Sequence, residues 1–378
     1  MREILRWCFD LLGELLRTLD PWLLAALAAV TAAGLATMYS AGGHPQGMHL
    51  VQAQGARFAA GLAAMWALSR VPPVRLRAWT PGVFAFSLVP LVLVLFIGGG
   101  KHGNHWINLK FFYFQPSELV KITLPMMLAW YLHREPLPPR LRTLVVAGLL
   151  IAVPVGLIML QPDAGTAMLA AASGAFAIYL AGLSWRWIAP ALVGGATAFV
   201  LAMFAPMSWF SFLKPYQQNR ILTFRNPEND PLGIGWNIIQ SKIAIGSGGL
   251  TGKGWGQGTQ SHLDFLPEHT TDFAFSVFSE EFGWIGVAVV LALYLFVVGR
   301  CLWIAIEARD TYSRVLAGTV GLAVFVYVIV NGGMISGLLP VVGVPMPLLS
   351  YGGTSAVSML AGLGLVMAVR AHRPVHGY

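Results

Sequence analysis

Charged side chains are scarce in this sequence, since Asp, Glu, Lys and Arg make up only 11% of its 378 residues. A soluble domain carries about 25%, so a soluble enzyme is excluded. Hydrophobic residues make up 56% of the chain, and its mean hydropathy is +0.67. The apolar runs are about 17–25 residues long and lack the alternation of barrel strands. The sequence therefore predicts an all-α polytopic membrane protein with about ten transmembrane helices.

Cysteine is also rare. The chain has 2 cysteines, Cys8 and Cys301, and both fall on the predicted cytoplasmic side, so no disulfide is expected. The histidines are scattered, which argues against a structural zinc site. The sequence contains no P-loop, no dinucleotide-binding fingerprint and no G-x-S-x-G nucleophile motif. These absences argue against the common nucleotide-binding and acyl-transfer enzymes.

The chain reads as a single membrane domain over residues 1–378. The predicted transmembrane segments are Pro21–Ser40, Val51–Leu68, Trp79–Phe96, Ser117–Leu132, Arg142–Met159, Thr166–Leu183, Trp187–Phe204, Phe278–Gly299, Leu316–Val330 and Ser355–Val369. Residues 1–20 predict an amphipathic helix at the cytoplasmic interface. Residues 206–271 form a large periplasmic loop between helices 7 and 8.

Arginine is distributed unevenly among the short connections. With the N-terminus placed in the cytoplasm, the even-numbered connections carry nearly all of it: Arg70, Arg75, Arg77, Arg134, Arg140, Arg142, Arg186, Arg300, Arg309 and Arg314. This positive-inside pattern places both termini in the cytoplasm. The net charge of +8 is therefore explained by topology, and no nucleic-acid partner is expected.

The chain has 16 acidic residues, and several of them lie together directly before a long apolar run. This stretch contains Asp264, Glu268, Asp272, Glu280 and Glu281 among aromatic residues. Carboxylates at the mouth of a membrane helix are candidates for function, because charge near lipid is costly to keep. Asp272 is the main candidate for a catalytic group. The alternative is that Asp272 only caps the helix that follows.

A second polar segment precedes the fourth predicted span. Trp106 and the aromatic residues that follow it suit a position at the membrane interface. Glu118 and Lys121 are three residues apart, so they share one helical face and can pair. They are either a structural ion pair or functional groups, and the residue types leave both open. Arg57 is a further charge within an apolar run.

Asp163 lies in the short run Q-P-D-A-G-T, where it either caps the next helix or belongs to the site. The large loop adds Arg220 and a glycine-rich run that starts near Gln240, Ser241 and Lys242. Its backbone amides and cations could meet phosphate, although the glycine spacing matches no nucleotide motif.

The last polar segment, Asn331–Thr354, contains Ser350 and is interrupted by Pro340, Pro345 and Pro347, which prevent a continuous helix. Irregular backbone at membrane depth requires surrounding protein or a wet cavity. We therefore expect the irregular outer segments to converge on one cavity.

These motifs together resemble the SEDS family (shape, elongation, division and sporulation). The matching runs include Q-P-S-E-L-V-K, Q-P-D-A-G-T, Y-Q-Q-N-R-I-L-T-F-R-N-P, F-L-P-E-H-T-T-D-F-A-F and L-L-P-V-V-G-V-P-M-P-L-L-S-Y-G-G-T, in family order, between Trp79 and Arg370. The P-V-V-G-V-P run is closer to the elongation members of the family. Two positions depart from the pattern: Thr270 stands where the family commonly has His, and His105 where it often has Arg.

The resemblance implies a peptidoglycan glycosyltransferase that polymerises lipid II into a growing glycan strand at the periplasmic face of the bacterial inner membrane. It implies Asp272 as the essential carboxylate, which agrees with general-base chemistry on a sugar hydroxyl. The leaving pyrophosphate needs positive charge from Arg, Lys or a divalent cation, Mg²⁺ or Mn²⁺. The candidate supporting residues are Glu118, Lys121, Arg57, Trp106, Asp163, Arg220, Gln240, Ser241, Lys242, Glu268 and Ser350.

Two other function classes remain open. A lipid II flippase or transporter would use the same intramembrane polar residues, and it would predict an inverted repeat. A non-catalytic membrane scaffold for a penicillin-binding protein would make Asp272 dispensable. Because the chain has no crosslinking domain, a class B penicillin-binding protein is the expected partner. Its membrane helix could pack on the small residues Gly321, Gly332, Gly333 and Gly337.

Overall fold

The chain folds into a bundle of long helices. The computed structural model describes residue 13 and residues 17–43, 45–99, 105–108, 113–230, 233–262 and 268–372. Its α-helices are α1 (Pro21–Gly42), α2 (Gln46–Ser69), α3 (Pro73–Ile97), α4 (Ser117–Arg134), α5 (Leu141–Leu160), α6 (Ala164–Leu180), α7 (Trp185–Phe204), α8 (Pro215–Arg225), α9 (Ile234–Ser247), α10 (Thr259–His262), α11 (Ala274–Glu307), α12 (Thr311–Ile335) and α13 (Thr354–Ala371). Two short strands, β1 (Ile107–Asn108) and β2 (Tyr113–Phe114), pair antiparallel between α3 and α4.

The helices differ in their capacity to cross a membrane. Within the described residues, seven are long and apolar enough: α1, α3, α5, α7, α11, α12 and α13. The helix α6 is apolar but shorter, and α2 and α4 carry polar side chains that lower their hydropathy. Every predicted segment overlaps a helix, and the predicted class of polytopic membrane protein is confirmed. The predicted Thr166–Leu183 segment is too long, because α6 ends at Leu180 and the chain turns at Gly182.

The centre of the bundle is α12, which packs against α4, α6, α11 and α13. Most of its side chains are buried, whereas α7 contains no buried residue. Because lipid tails are as apolar as the helices, close backbone approach contributes much of the packing energy in a membrane. Gly364 on α13 illustrates this, since a Cβ there would lie 2.6 Å from the carbonyl oxygen of Met65 on α2.

The glycines predicted to receive a partner helix are largely used inside the bundle. A Cβ at Gly321 would lie 2.6 Å from the Cβ of Cys301 on α11, and one at Gly333 would lie 2.7 Å from Leu339. The predicted docking surface is therefore wrong at these two positions. At Gly332 an added Cβ would meet no described atom within 4 Å. Cys301 is a buried free thiol, and Cys8 lies outside the described residues.

A single carboxylate joins three helices at the end of the bundle where α1 begins. Asp20 is fully buried and accepts a hydrogen bond from the backbone N–H of Leu23 at 2.9 Å, which makes it the N-cap of α1. The same carboxylate lies 2.8 Å from Arg300 Nη2 on α11 and 2.9 Å from Arg370 Nε on α13. The interfacial helix predicted for residues 1–20 lies mostly outside the described residues. Asp20 itself lies inside the bundle, and the sequence pattern around it did not predict this burial.

The helix α11 is broken near its start, at Gly283, whose φ of 64° and ψ of −165° are not helical. The break separates a half-helix, residues 274–282, from the long remainder of α11. The predicted span Phe278–Gly299 runs straight through this break and is corrected accordingly. A glycine is required because a Cβ at this position would lie 2.2 Å from the backbone nitrogen of Gly252.

The later part of the glycine-rich run, residues 248–256, donates hydrogen bonds to carbonyl groups that the break leaves without helical partners. The backbone N–H groups of Lys253 and Gly254 donate to the carbonyl oxygens of Glu280 and Glu281, each at 3.0 Å. The Glu280 side chain is fully buried and accepts from Lys253 Nζ at 2.6 Å. Backbone polar groups at membrane depth must be satisfied by protein, and this run does so.

The predicted loop at residues 206–271 is not irregular. It contains α8, α9 and α10, and α9 packs against α11 and α12. The segment between α12 and α13 is free of helix, as its three prolines predict. The β-hairpin is the one described departure from the predicted all-α class.

Candidate active site

A cavity of about 1200 Å³ opens at the end of the bundle where α1 ends and α11 begins. Its walls come from α2, α4, α13 and the β-hairpin, and its polar lining includes Arg57, Trp106, Glu118, Thr271, Tyr351 and Ser358. Three of the predicted irregular segments therefore meet here. Asp163 of the fourth segment does not line the cavity, although Gln115 Nε2 of a neighbouring segment donates to Asp163 Oδ2 at 2.9 Å. The predicted convergence on one cavity is therefore confirmed for three of the four segments.

Glu118 and Lys121 form the predicted ion pair, with 2.6 Å between Lys121 Nζ and Glu118 Oε1. The other oxygen of Glu118 accepts from Ser358 Oγ on α13 at 2.5 Å. Lys121 Nζ lies 5.2 Å from the centre of the Tyr327 ring on α12. Ser358 and Tyr327 were not predicted. The pair thus ties α4 to two other helices, and one end of it faces the cavity.

Arg57 carries a positive charge at the cavity wall. Its guanidinium lies over the Tyr351 ring, 4.4 Å from the ring centre, and Nη1 donates to Gln54 Oε1 at 3.2 Å. Among the described residues no carboxylate forms a salt bridge with it, so the charge is free to meet an anionic group in the cavity. Ser350, in contrast, is buried, and its Oγ accepts from the backbone N–H of Met346 at 3.0 Å.

Asp272 lies next to the cavity-lining Thr271 and is half-buried. It does not cap α11, because the N-cap is Phe273 and no side chain makes the capping hydrogen bond. Within the described part of the chain, no hydrogen bond reaches its carboxylate. Burial raises the pKa of Asp272 to about 6, the charge of Glu268 adds to the rise, and Arg220 opposes it. A carboxylate that ionises near neutral pH is suited to act as a general base.

Asp163 and Glu268 accept hydrogen bonds from described residues, whereas the candidate Asp264 lies outside the described part of the chain. Asp163 accepts from the backbone N–H of Thr166 at 3.0 Å, so the capping interpretation is confirmed, and its charge also contributes to the raised pKa of Asp272. Glu268 is exposed and accepts from Thr271 Oγ1 at 2.6 Å, in the turn that precedes the half-helix.

The candidates on α9 lie away from the cavity wall as far as the described residues define it. Ser241 is fully buried, contacts Ser276 Oγ at 2.6 Å and donates to the carbonyl oxygen of Ile335 at 2.7 Å. Gln240 is buried and Lys242 is exposed. The glycine-rich run was predicted to meet phosphate, but its Lys253 is paired with Glu280. Ser241 and Lys253 thus contact the half-helix that follows Asp272, through Ser276 and Glu280.

The described part of the chain contains no group of three or more His, Cys, Asp and Glu side chains that could hold a metal ion. The predicted divalent cation is therefore not supported by a cluster of ligands among these residues. Positive charge at the site comes from Arg57 on α2 and Arg220 on α8.

Sequence reasoning missed Asn331, Tyr351 and Ser358. Asn331 is an amide within the apolar α12, and an isolated polar side chain in a membrane helix is a functional candidate by default. Tyr351 belongs to the S-Y-G-G-T run, but nothing local shows that its ring supports an arginine. Ser358 faces Glu118 only because α4 and α13 pack together.

Comparisons with known proteins identify the family to which the chain belongs. A family model of cell cycle proteins, FtsW/RodA/SpoVE, matches residues 16–374. The chain belongs to this family, also known as SEDS. It is 45% identical over 356 residues to peptidoglycan glycosyltransferase MrdB of Escherichia coli K12, covering 94% of each chain. It is 32% identical to peptidoglycan glycosyltransferase RodA of Treponema pallidum, covering 94% of this chain and 98% of the relative.

Solved structures of similar proteins share the fold of this chain. One chain, from the structure described as "Structural coordination of polymerization and crosslinking by a peptidoglycan synthase complex", superposes with a TM-score of 0.79 at 32% identity, covering 94% of this chain and 98% of that one. The rod shape determining protein RodA of Thermus thermophilus superposes with a TM-score of 0.71 at 29% identity, covering 94% and 98%. The fold is therefore RodA-like.

Proposed function

We propose that this protein, a peptidoglycan glycosyltransferase of the SEDS family, polymerises lipid II into glycan strands with Asp272 as the general base. The observation that carries the assignment of Asp272 is its half-buried carboxylate, which has a pKa raised to about 6 and lies beside a cavity of about 1200 Å³. No other described carboxylate near this cavity combines burial with the absence of a hydrogen-bond partner.

The reaction forms a bond between a sugar hydroxyl oxygen of the acceptor and the anomeric carbon of the donor, and it breaks the bond from that carbon to the lipid diphosphate. Asp272 takes the hydroxyl proton and later releases it to water. Such a base contributes about 10²–10⁴-fold to the rate. The lipid diphosphate leaves with the bonding electron pair, so its negative charge grows. Arg57, which is free of carboxylate partners among the described residues, is the group best placed to stabilise it.

Lys121 has a different role in this proposal. Its charge is balanced by Glu118, so the pair adds little net charge to the cavity. It instead holds α4 against α13 through Ser358 and so shapes the wall that lipid II meets. Trp106 and Tyr351 add aromatic faces to this wall, against which a sugar ring can pack.

The membrane topology is part of the same proposal. We assign all ten predicted segments as transmembrane, with both termini in the cytoplasm and the cavity open to the periplasm of the inner membrane. Arg300 of the positive-inside pattern supports this, because it meets Asp20, together with Arg370 at the end of α13, at the end of the bundle opposite the cavity. Lipid II delivered to the periplasmic leaflet would then reach Asp272 directly.

The partner in this proposal is a class B penicillin-binding protein, whose transpeptidase crosslinks the glycan made here. The chain has no serine acyl-transfer motif of its own. One of the similar solved structures is described as a peptidoglycan synthase complex, which supports the pairing.

The test is polymerisation of lipid II by the purified protein, with and without the partner, using Asp272→Ala. We expect the variant to be folded and inserted yet to lose about 10²–10⁴-fold in rate. Glu228→Ala is the matched control, because Glu228 is an exposed carboxylate in the same connecting region. A scaffold would polymerise nothing in either form, and a flippase would move lipid II without joining it. Near-normal glycan synthesis by Asp272→Ala would remove Asp272 from the mechanism.

A further inference from the structure

Asn331 is a wholly buried amide in the central helix α12. Its Nδ2 donates two hydrogen bonds, one to the carbonyl oxygen of Asp272 at 2.8 Å and one to the carbonyl oxygen of Val344 at 2.7 Å. Both of its N–H donors are therefore used. The two acceptors belong to different segments, one before the half-helix and one between α12 and α13.

The Asp272 carbonyl needs this donor. It precedes the N-cap Phe273, so the hydrogen-bond ladder of α11 does not use it. A carbonyl in this part-buried position is costly to leave without a donor. Asn331 supplies the donor from a helix that is otherwise apolar at this level.

The position of the Asp272 carboxylate depends on such backbone contacts, because its side chain makes no hydrogen bond within the described residues. A second contact comes from Tyr351, whose backbone N–H donates to the Thr270 carbonyl oxygen at 2.9 Å. The segment between α12 and α13 also passes beside the carboxylate: a Cβ built on Gly343 would lie 3.5 Å from Asp272 Oδ2. Asn331 holds this segment through Val344, so it places both the carboxylate and its neighbour.

We propose that Asn331 is a positioning residue, which sets the place of the Asp272 carboxylate and through it the rate of glycan polymerisation. The inference rests on the proposed function of Asp272. Asn331 does not line the cavity within the described residues, so it acts on the reaction only through Asp272 and the segment of Val344. Misplacing a reacting group by about 1 Å can cost about 10²-fold in rate.

Two variants weaken the hydrogen bonds of Asn331 to different degrees. Asn331→Leu keeps a similar volume and removes both donors, whereas Asn331→Asp keeps the shape and, when protonated, retains one donor. We expect kcat for lipid II polymerisation to fall about 10- to 100-fold in Asn331→Leu and less in Asn331→Asp, with KM nearly unchanged. The acid limb of the pH–rate profile should move in Asn331→Leu, because the carboxylate changes its surroundings.

Thr319→Val is the matched control. Thr319 lies on the same helix, is fully buried, and its Oγ1 makes no hydrogen bond with a described residue. Its replacement should leave kcat and the acid limb unchanged. It tests whether any substitution of a buried polar residue in α12 lowers the rate. If Asn331→Leu does not fold, the Asp variant decides the question.

The outcomes separate this inference from the proposed function. Full kcat in both Asn331 variants, while Asp272→Ala is inactive, overturns the positioning role and leaves the function intact. A fall in kcat that is matched by a rise in KM, or that only follows the loss of folded protein, also overturns it. Full activity of Asp272→Ala overturns the proposed function itself, whatever Asn331 does.

Discussion

Two aspartates at opposite ends of the bundle differ in their surroundings: Asp20 is a structural group, and Asp272 is the proposed general base. Asp20 and Asp272 each come just before a membrane helix. Asp20 caps its helix and meets two arginines within 2.9 Å, whereas Asp272 caps nothing and its carboxylate receives no hydrogen bond from the described residues. Burial opposes ionisation of Asp20, but Arg300, the Leu23 N–H and Arg370 together hold its pKa below the usual value. Burial raises the pKa of Asp272.

The two shifts have opposite consequences for stability. Because the native pKa of Asp20 lies below its ordinary value of 3.8, its stabilising contribution is present above pH 3.8 and is lost only as pH falls through the lower native pKa. Asp272 favours its neutral form, so its contribution is largest below pH 3.8 and is lost as pH rises through about 6. At neutral pH the fold therefore contains an ionised Asp272 although its surroundings favour the neutral carboxyl group. This is the condition expected of a catalytic base.

The largest effect that would sharpen this comparison is expected from Asp20→Asn. Asparagine keeps the capping ability but removes the charge that Arg300 and Arg370 share. We expect a loss of about 1–3 kcal/mol in the free energy of unfolding, since the arginine side chains are 24% and 29% exposed and water screens part of the interaction. Thermal unfolding in detergent measures this loss. Polymerisation per folded molecule should stay near normal.

Asp272→Asn is the companion variant and should show the reverse, with polymerisation lost and the unfolding temperature unchanged or slightly raised. If Asp20→Asn abolished polymerisation without a change in unfolding temperature, the division between a structural and a catalytic carboxylate would not hold.

Glu118 provides an intermediate case, a carboxylate that faces the cavity but is paired. Removing either Glu118 or Lys121 alone leaves an uncompensated charge at membrane depth, which costs more than losing both. We expect each single Ala variant to reduce expression or activity and the exchanged pair, Glu118→Lys with Lys121→Glu, to recover part of it. A double-mutant cycle should give a coupling of about 1–3 kcal/mol.

Ser358→Ala serves as the control for that cycle, because it removes the second hydrogen bond of Glu118 and leaves the ion pair intact. Strictly additive effects of the two charge removals would mean that Glu118 and Lys121 do not act as a unit.

The smallest expected effect is in the pH dependence. The polymerisation rate should rise as Asp272 ionises near pH 6 and level off above it, so at pH 5 about a tenth of the plateau rate remains. Glu268→Gln removes a negative charge that raises the pKa of Asp272, so the acid limb should move to lower pH. Initial rates between pH 4.5 and 8.0 would be measured in buffers of constant ionic strength, roughly 0.15 M. An acid limb that stays in place in Glu268→Gln would argue that Asp272 is not the titrating group.

Much of the fold follows from short-range patterns. Scarce charge and long apolar runs are local properties, so the membrane helices were predictable, as was the irregular segment at Pro340, Pro345 and Pro347. The Glu118–Lys121 pair and the Asp163 cap were predictable for the same reason, because each joins residues three apart. Arginine in alternate connections indicates orientation without any knowledge of packing.

The sequence by itself thus determined the class of protein, the helical segments and the candidate carboxylate. Only the tertiary structure decided which aspartate is paired, since Arg300 and Arg370 reach Asp20 from the far end of the chain. It also decided the break at Gly283 and the contact from Asn331 to Asp272. The physical reason is that Asn331, Arg220 and Asp163, which position or tune Asp272, lie tens of residues away from it in the sequence. Only the packing of helices in the membrane brings them within reach.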